Sequence, residues 1–173
     1  MGKRLTQQAR GKGSLTFRVR KKAYKYKISY PKSNVEGKGK IVKLINSAAH
    51  TTPIARIMID DTSVYSPAAD GVNEGHDVEI GKEIKNGNII KLKDIPQGTK
   101  VFNIETTPGK GGKILRSGGT SAIVMNKDSK GVEILIRRRK LKLHENCRAT
   151  VGVAAGDGRK SKPVIKAGNK DRK

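Results

Sequence analysis

The sequence predicts an all-β protein, two sets of short strands held between strongly basic arms, and three observations carry that prediction. Short β-branched runs recur along the middle of the chain, each bounded by Gly, Pro, Asn or Asp. Nowhere does an apolar i, i+3, i+4, i+7 stripe persist for three turns, so helix content is expected to be small. Charge is segregated: residues 1–32 hold 11 Lys/Arg and no acid, residues 33–109 hold 9 Lys/Arg against 10 acids, and residues 110–173 hold 18 against 5. With a net charge of +23, a near-neutral centre between two cationic stretches marks where a polyanion would touch.

The first stretch, 1–34, lacks any periodicity that could bury a face, and its like charges repel. It is expected to be disordered alone and to order on a polyanion. Phe17, Tyr24, Tyr26 and Tyr30 alternate with Arg18, Arg20, Lys21, Lys22, Lys25 and Lys27. Rings among cations suit stacking on unpaired bases. Tyr24, Tyr26 and Ile28 would equally suit an edge strand of period two, and both readings can hold together.

Four strands are expected next, around Lys40–Ile45, Ile54–Ile59, Val78–Ile80 and Asn88–Leu92, with Asp60-Asp61 and Asp70-Gly71 as turns. Such short strands closing over a small core suggest a barrel of about five strands. A second set follows at Val101–Ile104, Ala122–Met125, Val132–Ile136, Leu141–Leu143 and Ala149–Val153, with Asp128-Ser129-Lys130-Gly131 as a hairpin turn. The boundary between the sets is expected near Asn86-Gly87-Asn88, or slightly later at Ile95-Pro96-Gln97-Gly98. After Val153 the chain turns Gly- and Lys-rich again, a second extended arm.

Several function classes find no support. No apolar run approaches the roughly 18 residues of a membrane span, and the basic start has no apolar stretch after it, so a secretory signal is not expected. Cys147 is the only cysteine, which fits a reducing compartment, and it reads as small apolar filler despite His144 three residues away. His50, His76 and His144 are scattered, without metal-ligand spacing. No paired carboxylates and no Ser/His/Asp order stand out, so neither catalysis, nor a metal, nor a cofactor is expected.

The densest glycine region runs from Glu105 to Gly119. It fails the Walker pattern, because Ile114 follows Lys113, and it fails the dinucleotide fingerprint at the same residue. What remains is a loop whose backbone N–H groups could approach phosphates at Gly109, Gly111 and Gly112 while Lys110, Lys113 and Arg116 supply charge. Valine at 111 or 112 is expected to spare the fold and weaken binding. Arg137-Arg138-Arg139-Lys140 leads into a strand, whose alternation should split the run between two faces.

Gly2-Lys3-Arg4, Gln7-Gln8, Arg10-Gly11-Lys12-Gly13 and Phe17-Arg18 resemble the opening of the ribosomal protein L two family of the large subunit, in its archaeal or eukaryotic form. Asn103-Ile104-Glu105 through Pro108-Gly109-Lys110-Gly111-Gly112-Lys113 to Arg116-Ser117 is similar to that family's glycine-rich loop. Cys147-Arg148-Ala149-Thr150-Val151-Gly152-Val153 resembles its most distinctive strand, and Lys162-Pro163 with Lys166-Ala167-Gly168-Asn169-Lys170 the segment after it. The resemblance spans nearly the whole chain. It implies an oligonucleotide-binding-type (OB-fold) barrel followed by an SH3-like barrel, and hence an arm over 1–34, barrels over 35–86 and 87–155, and an arm over 156–173. It also implies a structural, non-enzymatic role in the cytoplasm: large-subunit ribosomal RNA and neighbouring ribosomal proteins as partners, and help with assembly, subunit association and the surroundings of the peptidyl-transferase centre. The family's long Gly/Arg-rich extension with its histidine would begin where Lys173 stands, so no residue here is expected to carry that histidine's role.

The residues expected to meet RNA are Lys3, Arg4, Arg10, Lys12, Arg18, Arg20, Lys21 and Lys22 in the first arm. In the glycine loop they are Gly109, Lys110, Gly111, Gly112, Lys113 and Arg116. Toward the end they are Arg148, Arg159, Lys160, Lys162, Lys166 and Lys170. A free-standing nucleic-acid chaperone or chromatin-type protein is the alternative, distinguished by whether the chain sediments with large subunits. An RNA-directed enzyme such as a nuclease lacks the residues for it.

Overall fold

The computed structural model describes residues 2, 5–19, 21–32, 35, 37–60, 62–128, 131–158, 161–165 and 167, with 21 and 22 by their backbone alone. The fold is all-β. Among the described residues one short α-helix, α1 (Thr6–Gly11), and 3-10 turns at Leu15–Phe17 and Lys21–Tyr24 precede twelve strands: β1 (Gly37–Ile45), β2 (Ile54–Ile59), β3 (Thr62–Pro67), β4 (Asp77–Gly81), β5 (Ile89–Lys91), β6 (Lys100–Phe102), β7 (Ile104–Glu105), β8 (Gly112–Ile114), β9 (Ala122–Asp128), β10 (Gly131–Ile136), β11 (Arg139–Leu143) and β12 (Arg148–Val151). Ten of them hydrogen-bond in the order β11-β10-β9-β6-β12-β5-β4-β1-β2-β3, and β7 and β8 pair separately. Every neighbouring pair is antiparallel except β4 and β5.

Local sequence explains most of these elements. β2 alternates from Ala55 onward, with Ala55, Ile57 and Ile59 buried in the core and Arg56 and Met58 half-buried between them. β4 keeps the half-buried alternation, with Val78 and Ile80 inward. The Asp128–Gly131 hairpin joins β9 to β10 with Gly131 opposite Asp128. β3 was absent from the sequence expectation because its inward residues are Val64 and Ser66, which make no apolar stripe. β8 was hidden inside the glycine run.

Two cores result. One gathers Ile41, Ile57, Ile59, Val78, Ile80 and Ile89; the other gathers Ile90, Leu92, Val101, Val124, Val132 and Ile134. The adjacent residues Ile89 and Ile90 of β5 thus point into different cores, as strand alternation requires. The cores also trade residues across the chain. Phe102 and Ala154 pack in the first core, and so does Tyr30, from the stretch expected to be an arm. Among the described residues no helix is long and apolar enough to cross a membrane.

Candidate nucleic-acid interface

The N-terminal stretch begins outside the body and ends inside it. α1 buries none of its residues, and Arg10 lies 5.9 Å from the centre of the Phe17 ring. Farther along, Tyr24 is 60% exposed and meets His50 edge-on at 6.2 Å, while Tyr26 packs against Tyr65 at 5.3 Å. Ile28 then bridges to Tyr65 of β3, and the Ser29 amide donates to the Tyr65 carbonyl at 3.0 Å. The edge strand expected to bury these rings does not form: Tyr24 ends a 3-10 turn and stays exposed, Tyr26 is half-buried, and only Ile28 makes a single bridge, with Ile28 and Tyr30 buried beside it.

Tyr30 reaches between the two cores. Its hydroxyl donates to the Asn103 carbonyl at 2.6 Å, and because it has one proton, the Thr150 hydroxyl at 2.6 Å must donate to it. Burial raises the phenol's pKa well above its ordinary value, with the nearby Glu105 charge adding to the effect.

Beside Tyr30 sits a buried ion pair. Glu105 is wholly buried and Arg148 is 4% exposed. Arg148 Nη2 and Nε donate to Glu105 Oε1 at 2.9 and 3.3 Å, and the Arg148 amide donates to Oε2 at 2.9 Å. The same carboxylate accepts the amides of Gly111 at 3.0 Å and Gly109 at 3.4 Å. Arg148 Nη1 donates to the carbonyls of Pro31 at 2.9 Å and Lys32 at 3.4 Å, with the guanidinium 5.3 Å from the Tyr30 ring centre. One pair therefore ties together β7, β12, the glycine loop and the root of the arm.

This geometry corrects three expectations. Arg148 is not available to RNA, because its guanidinium is spent on a carboxylate and two carbonyls inside the protein. The amides of Gly109 and Gly111 do not face outward to phosphate: Glu105 accepts both. Gly112 is buried in β8, and a Cβ there would run into the Asn103 carbonyl oxygen, so its lack of a side chain serves packing within the protein. The expectation that valine at 112 spares the fold is withdrawn with it. Gly111 differs, since its φ of +75° demands glycine while an added Cβ would find only the Tyr30 amide, 3.7 Å away.

The charged side chains of the loop behave otherwise. Lys110 and Lys113 are exposed, and Arg116 is half-buried, its guanidinium donating to the Gly112 carbonyl. The Arg116 carbonyl accepts the Thr52 hydroxyl at 2.8 Å, which anchors the loop to the first core's surface. Burial and the Arg116 charge lower the pKa of His50, the ring that Tyr24 meets edge-on. Arg10, Lys12, Arg18 and Lys162 are exposed and have no carboxylate partner among the described residues. Lys3, Arg4, Arg20, Arg159, Lys160, Lys166 and Lys170 lie outside the described residues, as do the side chains of Lys21 and Lys22.

The arginine run lies at a turn and on an end strand. Arg137, Arg138, Arg139 and Lys140 are all exposed, because β11 is the end strand of the sheet and 137–138 form its turn, Arg137 at φ +57°. Among the described residues only Lys140 of this run has a carboxylate nearby, Glu133 at 3.6 Å. Alternation still sets Arg139 and Lys140 on opposite faces of β11, but neither position is covered, so both are exposed. Sequence reasoning passed over Glu105 as well, whose signal was a lone acid at the head of a glycine loop otherwise surrounded by cations. Cys147 is buried, and desolvation raises its thiol's pKa, as filler rather than nucleophile requires.

Comparison with known proteins agrees with this picture. The family model described as "Ribosomal Proteins L2, C-terminal domain" matches residues 85–173. The large ribosomal subunit protein uL2 of Methanothermobacter thermautotrophicus is 40% identical over 98% of this chain and 74% of its own length. The uL2 proteins of Methanococcus maripaludis (42%, covering 98% and 75%) and Hyperthermus butylicus (40%, covering 97% and 73%) are similar to it in the same way. The buried pair, the glycine loop and the distinctive β12 strand all lie within the matched family region, and the chain belongs to the large ribosomal subunit protein uL2 family.

Proposed function

We propose that this chain is a structural constituent of the cytoplasmic large ribosomal subunit that binds and stabilises large-subunit ribosomal RNA, with neighbouring ribosomal proteins as further partners. It acts without catalysis, and its contributions are to assembly, subunit association and the surroundings of the peptidyl-transferase centre. The observation that carries the reading is the set of exposed cations without carboxylate partners among the described residues: Arg10, Lys12, Arg18, Lys110, Lys113 and Lys162. Such side chains neutralise phosphates and release condensed counterions, the main sequence-independent term in RNA affinity. Lys3, Arg4, Arg20, Lys21, Lys22, Arg159, Lys160, Lys166 and Lys170 are proposed as further RNA contacts from their place in the sequence of the basic arms, 1–34 and 156–173. The hairpin cations Arg137, Arg138 and Arg139 join it as a contact on the second barrel.

Mechanistically, the barrels over 35–86 and 87–155 act as rigid bodies, and the arms run between RNA helices that would otherwise repel. Tyr24, exposed beside His50, offers a ring on which an unpaired base can stack. Gradient sedimentation of a lysate tests the reading: the chain should travel with large subunits. A chain found free, or on chromosomal DNA, would favour a nucleic-acid chaperone instead.

A further inference from the structure

We infer that the buried Glu105–Arg148 pair is a positioning device for the RNA-facing surface, one that sets the shape of the loop over 106–111 and the exit of the N-terminal arm while touching no RNA itself. The inference rests on the RNA-binding reading and deepens it. Burying a carboxylate and a guanidinium is costly, and apolar side chains of similar volume would often fill the same space with equal or greater stability. An apolar pair could not, however, hold the backbone around it. Glu105 accepts the amides of Gly109 and Gly111, and Arg148 donates to the carbonyls of Pro31 and Lys32.

The consequence is mechanical. Gly109 and Gly111, at φ +78° and +75°, would range over many conformations in a free chain, and the shared carboxylate holds both in one. Lys110 lies between them, so its side chain leaves the surface from a fixed point, with its own amide bonded to the Thr107 carbonyl at 3.3 Å. The arm backbone at Ser29 and Tyr30 runs beside the loop, within 4.0 Å of where a side chain at 111 would begin. The pair therefore fixes the loop cations relative to the place where the arm leaves the body. Holding them in the binding geometry beforehand spares the ordering cost on RNA binding.

The test uses the full chain, an in vitro transcript of large-subunit ribosomal RNA, and amide hydrogen exchange read at Gly109, Gly111 and Ser29. In Arg148→Lys, a cation still faces Glu105 but the fork onto Pro31 and Lys32 is lost. Ser29 should exchange faster while Gly109 and Gly111 stay protected, and affinity for the transcript should fall about tenfold with the net charge unchanged. In Glu105→Gln, the two glycine amides should lose protection and affinity should fall with Lys110 and Lys113 still present. If Glu105→Gln does not fold, Arg148→Lys alone decides the matter. Faster exchange with undiminished affinity would overturn the inference and leave the pair a packing feature. A parent chain that fails to bind the transcript would overturn the RNA reading itself, and this inference with it, before any substitution is made.

Discussion

The glycine loop over 105–116 and the arginine hairpin at Ile136–Arg139 both project cations from the second half of the chain, yet they are built oppositely. The loop is held from below by a carboxylate with no exposed surface, which engages two of its amides and a buried arginine. The hairpin is held by its strand ladder, Ile136 opposite Arg139, with its cations exposed. The lesson is that cationic charge alone does not identify a site. Where the backbone around the charge is anchored, the spacing of the charges is part of the structure; where it is not, the charges can only adapt to what they meet.

Substitutions can break that contrast, and the largest effect is expected at Gly112. Gly112→Val drives a side chain into the Asn103 backbone and should cost about 5 kcal/mol or more, appearing as loss of the folded protein in thermal melts. Gly111→Ala, one residue away, meets only ordinary contact with the arm backbone and a disfavoured φ, so a melt should report about 1–2 kcal/mol. A similar cost at both positions would mean that 112 is not packed as described.

Next comes the buried pair. Arg148→Met leaves Glu105 charged, buried and unpaired, which should cost about 3–5 kcal/mol by denaturant titration. The exposed Lys140–Glu133 pair is the contrast: Lys140→Met should change stability by about 1 kcal/mol or less.

Tyr30→Phe removes a hydroxyl bonded on both sides and should cost about 1–3 kcal/mol. It should also change the alkaline limb of the stability profile. The folded phenol has a raised pKa, so its contribution is fully present below the unfolded phenol's pKa of about 10 and is lost as pH rises above it, when the unfolded chain ionises first. The Phe variant should lose less stability than the parent between about pH 10 and 11. Equal losses would show that Tyr30 does not control that limb.

The smallest stability effect belongs to the hairpin. Arg137→Ala with Arg138→Ala should move stability by only about 0.5 kcal/mol, while weakening RNA binding. A large loss of stability would mean that the hairpin, like the loop, is anchored.

Much of this was legible in the sequence because it follows local rules. Ile41, Ile57, Val78, Val124 and Ile134 stand in β-branched runs that can hardly be anything but strands, and the glycines near 109–112 marked a special loop. What could not be read depends on pairing across long separations. Tyr30 and Asn103 stand 73 residues apart, and Arg148 and Glu105 stand 43 apart. A basic residue in a basic stretch looks like a phosphate contact until its partner is known, so Arg148 passed for surface when it was core. Gly112 passed for a loop residue because a glycine that makes room for its own protein has the same letter as one that makes room for RNA.

The most direct test compares the salt dependence of binding to a large-subunit ribosomal RNA transcript for two variants. The doubly substituted Lys110→Ala, Lys113→Ala protein should show a flatter slope of log affinity against log salt, by about 1.4–1.8 for two lost phosphate contacts. Arg148→Lys keeps every charge and should lower affinity at all salt concentrations with the slope unchanged. A flattened slope in Arg148→Lys would make it a phosphate contact after all. An unchanged slope in the lysine variant would remove the glycine loop from the RNA-binding surface.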